Sequence, residues 1–317
     1  MLEKVLASYL THICGAKNVR QNEPLSRHCT WGVGGPAQFF VTVRTRETLV
    51  RVVSALEYIE HPYRVIGSGS NILFRDCGFA GVIIRVCCDE VVENGNFMYV
   101  GAGAILSNVA RKAATMGFAG LEFAVGIPGT VGGAIVGNAG AHGSQMSAVV
   151  AMVDVYQNGE IVALDTRACK FGYRKSVLKA PHGARPVILG AYFQLKPAPR
   201  DEIEAKMSEY TSRRVASQPA GKSAGSVFRN PSSTNPLSRK GWHGVSRDGV
   251  CSAGKLIDDL NLKGTRIGGA VISERHANFI MNEGGATAAD ILALIKLVRK
   301  RIKEAHGVSL KLEIEII

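Results

Sequence analysis

The stretch Gly120-Leu-Glu-Phe-Ala-Val-Gly-Ile-Pro-Gly-Thr-Val-Gly-Gly-Ala-Ile-Val-Gly-Asn-Ala-Gly-Ala-His-Gly143 decides how the chain is read. Eight of its twenty-four residues are glycine, and Glu122 is its only acidic or basic side chain apart from His142. Ordered glycine costs conformational entropy, so this density points to special backbone geometry or close approach to a ligand. Bare backbone N–H groups in such a loop can cradle phosphate oxygens. Composition alone leaves a buried turn between core strands equally open. The spacing matches neither the dinucleotide fingerprint nor the Walker loop, since no Gly-Lys-Ser/Thr follows.

A second stretch separates the two readings. Arg64-Val-Ile-Gly-Ser-Gly-Ser-Asn-Ile-Leu-Phe74 reads as a strand, a tight polar turn and an apolar run. Gly67, Ser68, Gly69, Ser70 and Asn71 offer adjacent backbone amides and small polar side chains, which suit a pyrophosphate held by neutral donors. Two such loops, neither rich in lysine, suggest one large cofactor gripped from two sides.

Composition bounds the rest. A chain of 317 residues predicts two domains and a substantial core. Hydrophobic residues are 46% and charged residues 20%, which excludes a disordered chain. No apolar run approaches the roughly 20 residues that span a bilayer, and Met1–Ser8 lacks a signal-peptide pattern, so a cytoplasmic protein is expected. The seven cysteines are odd in number, form no Cys-x-x-Cys, and have no histidine at metal-ligand spacing; reduced thiols and no metal are expected. The net charge of +12 admits a nucleic-acid partner. Its densest run, Lys296–Lys303, lies within an amphipathic pattern (Ile291, Leu294, Ile295, Val298, Ile302) and reads more simply as the solvated face of a helix. A basic balance also suits a substrate bearing a diphosphate and a carboxylate.

Periodicity predicts strands at Ala37–Arg44, Tyr63–Gly67, Val82–Val86 and Met98–Ala102, the last pair joined through the turn signal Asn94-Gly95. Helices are expected over Glu47–Tyr58 and Leu106–Gly117, a hairpin over Ala151–Leu164, and a strand over Val187–Leu195. Further on come a charged helix (Glu202–Ala216), strands at Ile267–Ile272 and Asn278–Asn282, a helix from Thr287 to Ala305 capped by Thr287, and a terminal strand from Val308 to Ile317. Residues 1–27 read as an amphipathic start and polar arm without chemistry. A boundary at Lys196–Arg200 gives domains 28–197 and 198–317, the second with a loop insertion at 232–252.

Val65–Leu73, Gly126–Ala134 and Asn138-Ala139-Gly140 resemble the UDP-N-acetylenolpyruvoylglucosamine reductase family. The likeness continues in Gly172-Tyr-Arg-Lys-Ser176, Gly225-Ser-Val-Phe-Arg-Asn-Pro231, Ala253–Asp258, Gly264–Ala270 and Ser273–Phe279. Each motif is weak alone; their order is specific. The resemblance implies an α+β chain: an FAD-binding domain of the vanillyl-alcohol-oxidase (PCMH) type, then a C-terminal α+β substrate-binding domain. It implies non-covalent FAD, NADPH as hydride donor, and a small-molecule UDP-sugar substrate in bacterial peptidoglycan synthesis, handled by a monomer with neither nucleic acid nor membrane as partner. No counterpart of the family's tyrosine-bearing channel loop is found, so the chain resembles the shorter type.

The resemblance assigns residues as well. Cofactor contacts fall on Gly67, Ser68, Gly69, Ser70, Asn71, Ile72 and Leu73, and on Gly126, Ile127, Pro128, Gly129, Thr130, Gly132, Gly133, Asn138, Ala139 and Gly140. Ser226 matches the proton donor. Arg174 matches the arginine facing the substrate carboxylate, a role suited to a fixed charge with paired donors. Glu313 matches the glutamate that aids proton transfer; Glu315 lies on the same strand face and is its rival. Tyr173, Asn230 and His276 match substrate-contact positions, and Arg229 stands where the family often has lysine. Two alternatives remain: a carbohydrate or alcohol oxidase on the same fold, and a basic nucleic-acid-binding protein.

Overall fold

A computed structural model of the chain describes residues 2–179, 185–231 and 252–317; the Ser232–Cys251 segment, read as an insertion, lies outside them. The chain forms two compact units, each assembled from three pieces. One comprises residues 1–23, 37–68 and 80–214, and the other 24–36, 69–79 and 215–317.

Among its described residues the first unit contains two large sheets beside two two-stranded ones. In the four-stranded sheet the order is Val19–Pro24, Pro36–Val43, Phe79–Val86, Tyr63–Ile66, with the last two strands parallel and Val65 opposite Ile84. The five-stranded sheet is antiparallel and runs Glu160–Asp165, Val150–Gln157, Val187–Gln194, Phe97–Gly101, Val91–Asn94. Helix Arg46–Tyr58 buries Leu49, Val52, Val53 and Leu56, the spacing of one helical face. Its cap is Thr45, whose hydroxyl accepts from Thr48 N at 3.2 Å. The start of the chain is more than an arm: Leu2–Cys14 is a helix that sends Leu6 and Leu10 into this core.

The glycine-rich stretch departs from the expected loop, because Val131–Val136 forms a short helix. Its glycines permit close packing: a Cβ on Gly132 would stand 3.1 Å from Ala102 Cβ. Apolar Val131 and Ile135 are fully buried, which draws the segment inward.

In the second unit, helix Ala288–His306 buries Ile291, Leu294, Ile295, Val298 and Ile302 and exposes Lys296, Arg299, Lys300, Arg301 and Lys303. A capping box joins Thr287 to Asp290, and Asp76 accepts from Ala288 N at 2.8 Å and Ala289 N at 2.9 Å. Gly307, at φ 68, ends the helix in the left-handed conformation. The strand expected over Ile267–Ile272 is two strands, Arg266–Ile267 and Ala270–Ile272, folded back as neighbours with Ile267 opposite Ala270. Gly268 at φ 53 cannot continue a strand, and a Cβ on Gly269 would lie 2.3 Å from Gly284 O. The terminal strand is shorter than its alternation suggested. Only Glu315–Ile316 is strand, parallel to Ile72–Leu73, whereas residues 311–313 bond to 227–229 around one isolated bridge, Phe228 to Leu312. Leu310 and Ile314 are nonetheless buried, so the alternation recorded burial and not ladder length. Trp31 is fully buried here, donating its indole N–H to Ile280 O at 2.7 Å.

Candidate active site

In the first unit both glycine segments meet at Gly67. Thr130, 4% exposed, is so close that a Cβ on Gly67 would fall 2.1 Å from Thr130 Oγ1. Around this contact lies a cleft of about 560 Å³, walled by Tyr63, Val65, Gly67, Thr130, Gly133 and Ile188 among others. That volume lies in the range of small-molecule sites, roughly 300–1,000 Å³. A Cβ on Gly133 would meet only Thr130 Oγ1, at 3.7 Å, so bare helix backbone faces the cleft. A second cavity, about 350 Å³, shares Gly67, Val86 and Thr130 and includes Ser68, Arg44, Arg85 and Lys112. Ser68 Oγ is buried with no hydrogen-bond partner among the described residues. A buried hydroxyl without a partner calls for an acceptor or donor from outside the chain. The residues therefore fit a dinucleotide with a phosphate bridge.

Farther along, helix Arg200–Ser217 brings two side chains to this segment that the sequence reading did not single out. Tyr210 stacks on His142 with ring centroids 4.1 Å apart and planes at 1°. Arg214 packs so closely that a Cβ on Gly126 would stand 2.6 Å from its Cδ. Burial pulls the Arg214 guanidinium below its usual range; it also lowers His142, with Arg213 and Arg214 adding to the effect. The only signal was their i, i+4 spacing on one helix face.

Tyr173 and Arg174 form the tip of a two-residue turn closed by Gly172 N to Lys175 O at 2.9 Å and Lys175 N to Gly172 O at 3.1 Å. Arg174 adopts φ 53, a left-handed conformation uncommon for arginine. Its Nη2 donates to Gly140 O at 2.9 Å, and its guanidinium carbon stands 5.6 Å from the Tyr173 ring centre. Tyr173 is exposed. Asn138 is fully buried, with its amide used inside the protein: Nδ2 donates to Gly172 O at 3.0 Å and Oδ1 accepts from Ser147 N at 3.0 Å.

The second unit holds Gly69–Leu73, Ser226, Asn230, His276 and Glu313. Gly69, at φ 68, passes so near the backbone that a Cβ would lie 2.0 Å from His28 O. The segment from Ser226 to Arg229 runs between two others. Val227 N donates to Asn278 O at 2.9 Å, and Glu313 N donates to Val227 O at 2.8 Å. Ser226 itself bridges to Phe279. Asn278, missed in the sequence, imitates a strand partner: its Oδ1 accepts from Phe228 N at 3.0 Å and its Nδ2 donates to Phe228 O at 2.8 Å. Glu313 Oε2 lies 3.5 Å from Arg229 Nε, which also donates to Leu312 O at 3.0 Å. Asn71 ties in from the cofactor turn, with Nδ2 donating to Glu313 O at 3.1 Å and its carbonyl accepting from Glu315 N at 3.0 Å. Ser226, Glu313, Arg229 and Asn71 thus belong to one neighbourhood.

Asn230 and His276 make contacts of their own. Asn230 Oδ1 accepts from Ala253 N at 3.0 Å, at the start of helix Ala253–Asp259. His276 Nδ1 accepts from Asn278 N at 3.2 Å, which assigns the proton of the neutral ring to Nε2. Burial is the main reason its imidazole lies below the ordinary value, and Lys263 pushes the same way.

Residues 37–165 match the family model of an FAD binding domain, and residues 217–317 match that of the UDP-N-acetylenolpyruvoylglucosamine reductase C-terminal domain. UDP-N-acetylenolpyruvoylglucosamine reductase of Chloroflexus aggregans is 41% identical over 94% of this chain and 97% of its own. The chain belongs to this reductase family. The Geobacillus thermodenitrificans member is 39% identical over 97% of this chain and 96% of its own. The crystal structure of the Thermus caldophilus reductase superposes with a TM-score of 0.75 at 38% identity, covering 93% of this chain and 97% of that one. The fold is accordingly the expected α+β combination of an FAD-binding domain and the reductase C-terminal domain, and the chain is an FAD-dependent oxidoreductase. Among the described residues no helix is long and apolar enough to cross a membrane, and no cluster of His, Cys, Asp and Glu could hold a metal.

Proposed function

We propose that this reductase converts UDP-N-acetylglucosamine enolpyruvate to UDP-N-acetylmuramate, with NADPH as the hydride donor, Ser226 as the proton source and Arg174 facing the substrate carboxylate. FAD supplies the hydride chemistry between nicotinamide and the methylene carbon of the enol ether. The cleft at Gly67, Thr130 and Gly133 holds it together with the Ser68 hydroxyl. The protein's own residues supply the proton and the charge.

The observation that carries the reading is the backbone rung at Val227. It places Ser226 one residue from a carbonyl that is hydrogen-bonded to Glu313 N. A serine hydroxyl is a poor acid alone, so its usefulness depends on neighbours that relay a proton or stabilise the alkoxide. Glu313 and Arg229, paired at 3.5 Å, provide an acceptor and a cation in that neighbourhood. Arg174 then stabilises charge that develops at the carboxylate as the neighbouring carbon awaits its proton. Exposed Tyr173 beside Arg174, the Nε2–H of His276, and Asn230 are assigned to substrate contact.

Ser226→Ala tests the division of labour. Substrate-dependent flavin reoxidation should slow by about 10²–10⁴-fold, the usual worth of a positioned acid, while flavin reduction by NADPH changes less than about twofold. Equal loss in both half-reactions would remove Ser226 from the proton step. Reoxidation by oxygen but never by the enolpyruvyl nucleotide would move the chain to the oxidase reading.

A further inference from the structure

Three alternate residues at the end of the glycine-rich segment each grip one part of the Gly172–Ser176 turn. Val136 O accepts from Ser176 Oγ at 2.7 Å. Asn138 Nδ2 donates to Gly172 O at 3.0 Å, and Gly140 O accepts from Arg174 Nη2 at 2.9 Å. Each grip involves a side chain and a backbone carbonyl. Asn138 is the only one of the three residues on the glycine-rich segment whose own side chain makes the grip. It is fully buried at φ 43, and its other amide end accepts from Ser147 N. An amide supplies both a donor and an acceptor in this arrangement at any pH.

The bond lands on Gly172 O, the carbonyl at the base of the turn that carries Tyr173 and Arg174. Arg174 occupies a left-handed conformation, which a non-glycine residue holds only when its surroundings over-determine it. We infer that Asn138 is a positioning residue: by fixing Gly172 it sets where the Arg174 guanidinium stands, and it links that placement to the cofactor segment. The inference rests on the reading of Arg174 as the carboxylate-facing arginine.

Asn138→Asp keeps the acceptor for Ser147 N but turns a carboxylate oxygen toward Gly172 O. Protonating that carboxyl restores an O–H donor. The measurement is calorimetric affinity of the FAD-loaded protein for UDP-N-acetylmuramate, which bears the carboxylate, and for UDP-N-acetylglucosamine, which lacks it. At about pH 8 the first should weaken about tenfold and the second less than about twofold, the deficit narrowing toward about pH 6 as the carboxyl protonates. In an Arg174→Ala background the Asn138→Asp change should add less than about twofold, because the two act as one unit. Should Asn138→Asp fail to fold, Ser176→Ala removes the neighbouring grip, and a selective loss of about threefold for the carboxylate-bearing nucleotide is expected.

Equal weakening toward both nucleotides, loss of FAD, an undiminished effect in the Arg174→Ala background, or unchanged affinities in Ser176→Ala would overturn the inference. An Arg174→Ala protein that still prefers the carboxylate-bearing nucleotide would instead bring down the reading of Arg174 on which it rests.

Discussion

Gly67 and Gly133 line the same cleft, yet adding a methyl group to each should have opposite consequences for stability. At Gly67 the new Cβ would lie 2.1 Å from Thr130 Oγ1 and 3.1 Å from Thr130 Cβ and Cγ2. Thr130 is a stiff β-branched residue, nearly buried, whose carbonyl accepts from Ala134 N at 2.9 Å in the short helix. It cannot swing away cheaply. Overpacking of this kind costs about 1–3 kcal/mol. A central value of about 2 kcal/mol corresponds to a melting-temperature drop of about 4–8 °C in a unit of this size. At Gly133 the Cβ meets only Thr130 Oγ1 at 3.7 Å, ordinary contact, within a helix where alanine is favoured by about 0.5–1 kcal/mol. Gly133→Ala should therefore leave the apoprotein as stable or more so, while its methyl group narrows the cleft and weakens FAD by about tenfold. The assay is thermal unfolding of the apoproteins with FAD titration, repeated in a Thr130→Ala background. There Gly67→Ala should cost less than about 0.5 kcal/mol, since the clashing oxygen and methyl group are gone. A Gly67→Ala protein melting within a degree of its parent, or an equal cost with and without Thr130, would refute the packing argument.

Three further outcomes are expected. Asp76→Ala removes the carboxylate that accepts from Ala288 N and Ala289 N, and should cost about 1–2 kcal/mol by chemical denaturation without altering NADPH-driven flavin reduction. His276 is pushed below its ordinary value of 6.5 by burial, so the unfolded chain binds the extra proton first. Its contribution is present above that value and lost as pH falls through the folded value; His276→Gln should flatten that part of a stability-against-pH curve. Glu313→Gln removes the charge paired with Arg229 and should slow substrate-dependent reoxidation more than flavin reduction in stopped-flow traces, whereas a matched loss in Glu315→Gln alone would shift the role to that residue.

Much of the secondary structure was legible because single elements carry their own signals. The Arg46–Tyr58 helix announces itself by Leu49, Val53 and Leu56, and Ala288–His306 by its amphipathic period and Thr287. The hairpin about Asn158 and Gly159 follows from turn chemistry, since both adopt positive φ. What stayed hidden depended on distant partners. Glycine density reads as a loop, and nothing local reveals that Gly132 packs on Ala102 in a helix. Asn138 and Asn278 look alike in sequence, but one braces the Arg174 turn and the other the Ser226 segment. Tyr210 and Arg214 are ordinary members of a charged helix until they meet His142 and Gly126. The site residues of the second unit were reached through family motifs, because their neighbours come from three separated stretches, 71, 226–230 and 311–315.

The chain passes between its two units five times, at residues 23/24, 36/37, 68/69, 79/80 and 214/215. The second unit therefore has no single coding segment. A fragment ending near residue 214 would carry Trp31, Val33 and Leu73 without the C-terminal residues that share their core. One beginning near residue 215 would present Ile280 O with no indole N–H to accept. Recombination that exchanges substrate domains between relatives at one crossover near residue 214 would split the core of the second unit, so new specificities in this architecture must arise by substitution within a chain inherited whole.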